Sequence, residues 1–283
     1  MKKLLALLLI VFTITAYSQD IPDSLLKQGW NMTGVVGLNL SQTSFSNWAQ
    51  GGSNSLAFAA YTNLGGIYFN APWKWKNRLN MSYGRSKIGN EGYRTNENDI
   101  YFESVASRDI GWAVDPYFSV TFRSALTKGY DYSVETSGLQ IVDFFDPGYI
   151  SEALGFTYDQ NKIITTRLGI AIQQTFANKF TNYTDDPETP DEIEKFKFDT
   201  GIESVTEVNY EFLENMKYSS FLRLFTRFNS LDVWDVRWDN IISAKVNDYI
   251  QVNFAVTVIH EISQTRKTQL REALQLGFSY SLF

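Results

Sequence analysis

The chain has 283 residues, of which 44% are hydrophobic and 16% aromatic, and it contains no cysteine. Its formal net charge of −6 argues against a nucleic-acid partner, because such a partner requires a basic face. Without cysteines the chain has no disulfides, so its stability must come from another source. Composition therefore excludes a nucleic-acid-binding module and a disulfide scaffold.

The first 18 residues have the features of a secretory signal peptide. Two lysines precede an apolar run that ends near Ala16, and residues 16–18 place small side chains at both positions of an A-x-A-like cleavage site. An uncleaved membrane anchor is the alternative, but the run is too short to span a bilayer. We predict a signal peptide over residues 1–18, a periplasmic lead-in over 19–29 and a barrel over 30–283.

After residue 29, apolar residues recur at every second position in about twelve segments. This period is typical of strands, and a tilted membrane strand needs roughly 9–11 residues. The sequence predicts an all-β fold, a transmembrane antiparallel up-and-down β-barrel of about 12 strands, with a soluble all-β sandwich as the rival. The predicted strands are residues 30–40, 53–69, 74–86, 99–109, 117–126, 148–158, 163–176, 201–213, 217–228, 233–246, 249–263 and 268–283.

The connections between these segments alternate in length. Those after odd-numbered strands include all the long ones, such as 127–147 and 177–199, whereas those after even-numbered strands are tight. Outer-membrane barrels have short periplasmic turns and longer extracellular loops. We therefore expect an outer-membrane protein with both termini in the periplasm and with outer-membrane lipid around it.

Charged residues occupy alternate positions in the eighth, ninth and tenth segments. A lipid-facing Arg would cost about 2–4 kcal/mol at the midplane, so these side chains are expected to face the lumen. Turns near residues 214–216 and 230–231 would align them in two acid–Arg–acid rows, which either form a constriction that selects small polar solutes or brace a narrow lumen. The predicted rows are Glu207–Arg223–Asp239 and Glu203–Arg227–Asp235, and further inward candidates are Arg78, Glu103, Arg123 and Arg167.

Residues 38–52, with the sequence LNLSQTSFSNWAQGG, interrupt the alternation between the first two strands. An exposed loop has little reason to carry two large aromatic residues, so we predict that it folds inward or packs against the barrel rim, with Trp48 buried. The alternative is that Trp48 belongs to an interfacial girdle. The residues predicted to pack on or in the barrel are Phe45, Asn47, Trp48, Gly51 and Gly52, the glycines permitting a tight return.

Catalytic, metal and cofactor signatures are weak. The only histidine of the sequence is His260, with Ser263 as the nearest serine, and there is no G-x-S-x-G motif. The acidic loop 185–194 has oxygen ligands that could suit Ca²⁺, but its spacing does not match the twelve-residue calcium loop. We predict no catalytic residue, no metal site and no cofactor, and an outer-membrane lipid hydrolase is a remote alternative.

The stretch LNLSQTSFSNWAQGG resembles the signature of a Bacteroidota family catalogued as domain of unknown function 3078. Trp75–Gly84 and residues 129–132 and 144–148 resemble that family as well. The resemblance implies an outer-membrane β-barrel of a Gram-negative cell and no established activity. Residues 277–283 resemble the C-terminal insertion signal of outer-membrane proteins, except that Phe283 is out of phase with the preceding apolar residues.

Two functions follow from this reading. The first is a narrow channel or binder for small polar solutes, with the Arg–carboxylate rows in its lumen. The second is a non-transporting structural subunit of an outer-membrane complex, whose partners would be other outer-membrane proteins.

Overall fold

The computed structural model describes residues 26–46, 52–132, 138–159, 163–186, 189, 191–262 and 267–283. The predicted signal peptide and most of the predicted lead-in lie outside these residues, as do Asn47, Trp48 and Gly51. Within the described ranges no helix is long and apolar enough to cross a membrane.

Twelve antiparallel strands close into a barrel in which each strand pairs with its neighbours in sequence and the first strand pairs with the last. This closure confirms the predicted all-β fold of twelve antiparallel strands and excludes the sandwich. The barrel strands are β1 (Gly29–Thr43), β2 (Ser55–Asn70), β3 (Trp73–Ile88), β4 (Arg94–Arg108), β5 (Asp115–Ser124), β8 (Gly148–Tyr158), β9 (Ile164–Phe176), β10 (Phe196–Leu213), β11 (Met216–Arg227), β12 (Ser230–Lys245), β13 (Ile250–His260) and β14 (Gln269–Ser281), and the hairpin β6 (Gly129–Asp131) and β7 (Leu139–Val142) lies in the loop between β5 and β8.

Short and long connections fall at opposite ends of the barrel. One end, which we call the turn end, carries the tight turns and the start of β1 and the end of β14; the other, the loop end, carries the longer loops. Two of these loops are joined by Asp146, whose carboxylate accepts hydrogen bonds from the backbone N–H groups of Asn178 (2.8 Å) and Lys179 (2.9 Å). The hairpin β6–β7 and a short 3₁₀ turn (Thr181–Tyr183) were not predicted.

Several strands extend further toward the loop end than their alternation indicates. β4 begins at Arg94 rather than at residue 99, and β10 begins at Phe196 rather than at residue 201. The barrel strands are 10–18 residues long, whereas a tilted strand needs roughly 9–11 residues to cross the hydrocarbon. The extra residues of β4, residues 94–98, are all polar and show no alternation. In β10 the alternation does continue outward, with Phe196 and Phe198 on the exposed face.

The barrel is polar inside and apolar outside. Among the described residues, the buried set contains nineteen polar or charged residues and nine apolar ones, which is the reverse of a soluble core. Large apolar side chains on the other face of the same strands are exposed, for example Leu168 at 59% and Leu274 at 67%. A wall of this kind suits a lipid environment.

Aromatic side chains gather on the outer face near both ends. At the turn end, the ring of Trp30 lies 5.5 Å from Tyr68 and 5.7 Å from Trp75, and the Trp75 indole N–H donates to Ser104 Oγ on the next strand (2.7 Å). At the loop end, neighbouring rings lie 5.0–5.8 Å apart in a row formed by Phe122, Phe145, Phe176 and Phe196. Two such girdles mark the interfaces of transmembrane barrels.

The seam between β1 and β14 closes the barrel with six residue pairs, fewer than any other pair of neighbouring barrel strands has. The N–H of Leu282 donates to the carbonyl of Gly34 (2.7 Å) just beyond the paired residues. A Cβ on Gly34 would lie 2.8 Å from the ring of Phe283, so this ring covers the outer side of β1. Because β14 ends at Ser281, Phe283 no longer follows the alternation that would direct it inward.

A pair of glycines lets a tyrosine lie flat against the inner wall. Gly155 on β8 and Gly169 on β9 are cross-strand partners, and Tyr117 is the partner of Gly155 on β5. A Cβ on Gly169 would lie 3.0 Å from the Tyr117 hydroxyl, and one on Gly155 would lie 2.0 Å from the backbone oxygen of Leu168. The two strands therefore approach each other too closely for a side chain at residue 155.

Replacing Gly155 with alanine is expected to destabilise the barrel by about 1–3 kcal/mol, because the new methyl group would force the backbone of β8 and β9 apart. The check is the urea midpoint of the protein folded in lipid vesicles. Gly92→Ala is the matched control, since a Cβ there meets nothing within 4 Å. Equal midpoints for the two variants would contradict the expected close approach.

Candidate functional site in the barrel lumen

A guanidinium group crosses the lumen near its middle. Arg78 on β3 donates to both oxygens of Glu207 on β10 (2.9 and 3.1 Å) and to Glu103 on β4 (2.7 Å). β3 and β10 are nearly opposite each other in the ring of strands. The contact therefore spans the barrel rather than following its wall.

Glu103 is the most enclosed carboxylate of this central cluster. It accepts a second Arg hydrogen bond from Arg167 on β9 (2.5 Å) and one from the hydroxyl of Tyr101 (3.0 Å). The side chains of Glu103 and Arg167 are 6% and 7% exposed. Removing either of two buried charges in such contact is costly, because the remaining one loses a counter-charge that replaces its hydration.

Aromatic rings enclose the Arg78 guanidinium. Its central carbon lies 5.4 Å from the ring of Phe221 on β11 and 5.7 Å from the ring of Tyr101 on β4. The two rings are themselves 6.0 Å apart in an edge-to-face contact. The cation therefore packs against aromatic faces, and two facing parts of the wall, β3–β4 and β10–β11, meet at one point.

The predicted acid–Arg–acid rows are wrong in their pairing. Arg223 is opposite Val205 and Arg237, while Arg227 is opposite Gly201 and Ser230. The aligned triplets are instead acid–Phe–acid: Glu207–Phe221–Asp239 and Glu203–Phe225–Asp235.

The error has a local cause at each turn. The turn between β10 and β11 is one residue tighter than predicted, and a bulge follows between Glu211 and Leu213. A second bulge at Thr226–Arg227 shifts β11 against β12. In each hairpin the net displacement from the predicted pairing is two residues, which changes the partners but leaves every side chain on the same face.

The six residues of the predicted rows nevertheless make polar contacts within the lumen. Arg223 reaches diagonally to Glu203 on β10 (2.8 Å), and past β10 to Gln173 on β9 (3.0 Å). Arg227 bonds Asp235 (2.8 Å) and also Asp199 (3.0 Å), a carboxylate that was not predicted. Glu207 belongs to the central cluster, and Asp239 bonds Arg237 (2.7 Å) and Thr257 (2.9 Å).

Both arginines pack on the same buried ring. The guanidinium carbons of Arg223 and Arg227 each lie 5.6 Å from the ring of Phe225, which is 0% exposed. The further inward candidates Arg78, Glu103 and Arg167 form the central cluster, and Arg123 bonds Asp99 (2.8 Å). The half of the lumen bounded by β4, β5 and β8–β11 is thus filled with paired charges and rings.

The other half of the lumen contains a cavity of about 540 Å³. It lies mainly against β1–β3 and β12–β14, with the ends of β4, β10 and β11 also in its lining. Amides and hydroxyls are the most numerous groups of this lining, beside charged and apolar side chains. Sequence reasoning concentrated on charges and missed these residues, although they occupy the inward positions of the first and last strands. The lining includes Asn39, Tyr61, Asn63, Asn80, Ser82, Ser219, Ser243, Gln251, Asn253, Gln275 and Ser279.

Charged groups border the two ends of this cavity. Toward the loop end, Arg271 on β14 bonds Glu97 on β4 (2.7 Å), so this pair bridges across the inner side of β1, β2 and β3. Toward the turn end, Lys245 bonds Asp248 (2.8 Å), with Lys217 nearby in the lining.

The first loop is described only in part. The ring of Phe45 packs on Gly52, whose φ of +127° suits glycine, and the Phe45 N–H donates to Asn54 Oδ1 (2.7 Å). Trp48 lies outside the described residues, so the packing of this loop on or in the barrel stays a prediction.

The remaining polar candidates take part in local contacts. His260 Nδ1 lies 3.0 Å from the hydroxyl of Thr268, and Ser263 lies outside the described residues. In the acidic loop, hydrogen bonds from the Thr189 hydroxyl and the Asp186 N–H hold the pKa of Glu194 below its usual range. Over the described chain, no group of three or more His, Cys, Asp or Glu residues could hold a metal ion.

The model of a family described as "Protein of unknown function (DUF3078)" matches residues 40–130, about a third of the chain. This is the family that the sequence motifs resemble. No curated protein matches the chain.

Solved barrels resemble the chain at low sequence identity. The COG4313 outer membrane channel from Pseudomonas putida F1 is 11% identical, with 93% of this chain and 99% of that chain covered and a TM-score of 0.43. The translocator domain of autotransporter NalP from Neisseria meningitidis is 9% identical, with 92% and 90% covered and a TM-score of 0.39. A NanC porin is 10% identical, with 88% and 98% covered and a TM-score of 0.40.

Replacing Arg167 with methionine is expected to lower the free energy of unfolding by about 3 kcal/mol, because it leaves buried Glu103 without one of its two counter-charges. Arg271→Met is the matched control. The side chain of Arg271 is 50% exposed, so the loss of its pair with Glu97 should cost less than about 1 kcal/mol. Urea titration of both variants in lipid vesicles measures the two free energies of unfolding. Equal losses would show that the burial of an ion pair does not determine how much it stabilises the barrel.

Proposed function

We propose that this protein spans an outer membrane as a barrel whose partly filled lumen admits small polar solutes. The observation that carries the proposal is the polar cavity inside a closed barrel with an apolar outer wall. A volume of about 540 Å³ is within the range of sites for small molecules. Short turns at one end and longer loops at the other support a periplasmic turn end.

The filled half of the lumen sets the size limit in this proposal. Arg78, Tyr101 and Phe221 meet across the barrel axis, which confines a solute to the side of β1–β3 and β12–β14. The guanidinium and the two rings are held by contacts to several strands, so they act as a fixed partition. The distance between the barrel wall and this partition then sets the largest solute that can pass, and no segment has to move.

The test is the conductance of the full-length protein in a planar lipid bilayer. Wild type is expected to give small, uniform steps, and Phe221→Ala should enlarge them because it removes a ring from the partition. Phe118→Ala is the matched control, since this ring is on the outer wall and is 48% exposed. Bilayers that stay silent with wild type and with Phe221→Ala would overturn the proposal.

A structural subunit of an outer-membrane complex is the second candidate, and the partition is the observation that favours it. A lumen half occupied by paired charges is suited to rigidity. Gentle solubilisation of native membranes followed by affinity purification would then yield partner proteins in fixed stoichiometry. Recovery of this chain alone, together with measurable conductance, would eliminate the subunit role.

A further inference from the structure

We infer that the cavity favours uncharged solutes rich in hydroxyl groups, such as sugars and polyols, over charged solutes of the same size. This inference rests on the proposed solute pathway and specifies its substrate class. It is based on the different positions of charged and uncharged polar side chains within the lumen. Paired charges fill one half of the lumen. In the lining of the cavity, amides and hydroxyls are the most numerous groups, and the charged residues are fewer.

The amides of the cavity wall come from five strands. They are Asn39, Asn63, Asn80, Gln251, Asn253 and Gln275. Asn63 and Asn80 are cross-strand partners on β2 and β3, and Asn253 and Gln275 are partners on β13 and β14. Pairs of amides on neighbouring strands therefore face the same space from both sides of the β1–β14 seam.

Contacts between these side chains hold part of the wall in place. Asn39 donates to Gln275 Oε1 (3.0 Å), and Gln251 donates to the hydroxyl of Tyr61 (3.3 Å). Tyr61 can lie along the wall because Gly37 opposite it has no side chain; a Cβ there would be 2.3 Å from the ring. The wall is thus preorganised, which lowers the entropy cost of binding a small solute.

An amide offers both a donor and an acceptor, as does a hydroxyl group of a solute. A polyol can therefore exchange its hydrogen bonds with water for hydrogen bonds with the wall. A charged solute of the same size would give up hydration beside the amides, which carry no charge, and this is costly. Five of the eight charged lining residues are already paired and compensate little of that cost: Glu97 with Arg271, Asp99 with Arg123, and Lys245 with Asp248.

The experiment measures uptake of three radiolabelled probes of nearly equal size into vesicles that contain the full-length protein, at zero membrane potential. The probes are glucose, the anion gluconate and the cation glucosamine. Glucose is expected to enter about tenfold faster than either charged probe, because only the charged probes lose hydration without compensation. Charged probes that enter as fast as glucose would overturn the inference while leaving the proposed solute pathway intact.

A double variant tests whether the amide wall carries the preference. Asn63→Leu with Asn80→Leu keeps the side-chain volume similar and removes two hydrogen-bonding groups, so glucose uptake should fall severalfold while gluconate uptake stays low. Asn229→Leu is the matched control, because Asn229 is exposed in the short loop between β11 and β12. Unchanged glucose uptake in the double variant would refute the role of the wall, and circular dichroism with a gel-shift assay establishes that each variant is folded.

Uptake of all three probes no faster than in protein-free vesicles would have a different meaning. That result would overturn the proposed solute pathway itself, and the substrate class with it. The two failures are therefore distinguishable: one shows a pathway with another selectivity, and the other shows no pathway.

Discussion

The arrangement of the lumen depends on the contact of Arg78 with Glu207 and Glu103. A single guanidinium joins β3, β4 and β10 across the barrel, and it determines where Tyr101 and Phe221 can pack. Burial of a cation in this position is tolerable only because two carboxylates and two aromatic rings replace its hydration. The partition between a filled and an open half follows from this contact, since the groups that satisfy Arg78 all lie on one side.

The facing of each side chain could be predicted from the sequence, whereas its partners could not. Alternation has a period of two, so residues such as Glu203 and Arg223 keep their face even when the register changes. The partners depend on turn geometry, and the bulge between Glu211 and Leu213 leaves no recognisable sign in composition. A regular hairpin without this bulge predicts partners that differ by two residues from those in the structure.

Contacts across the lumen are even harder to predict from the sequence than partners on neighbouring strands. Arg78 and Glu207 are 129 residues apart, and they meet only because tilt and closure bring two distant strands to the same height. The amide-lined cavity was missed for a related reason. Asn39, Asn80 and Gln275 have neither charge nor a motif, and their shared chemistry is visible only once β1, β3 and β14 surround one space. The outer wall, by contrast, was evident, because lipid imposes a simple apolar pattern on every second residue.

The seam between β1 and β14 has a mechanical consequence for the cavity. These two strands share six residue pairs and no connecting turn, whereas β1 and β2 share fifteen pairs. Both seam strands border the open half of the lumen, and neither contributes to the central cluster. Sideways separation of the two strands therefore widens the cross-section available to a solute, while the opposite wall, held by the contacts of Arg78 and Arg223, keeps its shape. The most compliant part of the barrel wall is therefore the part that borders the cavity.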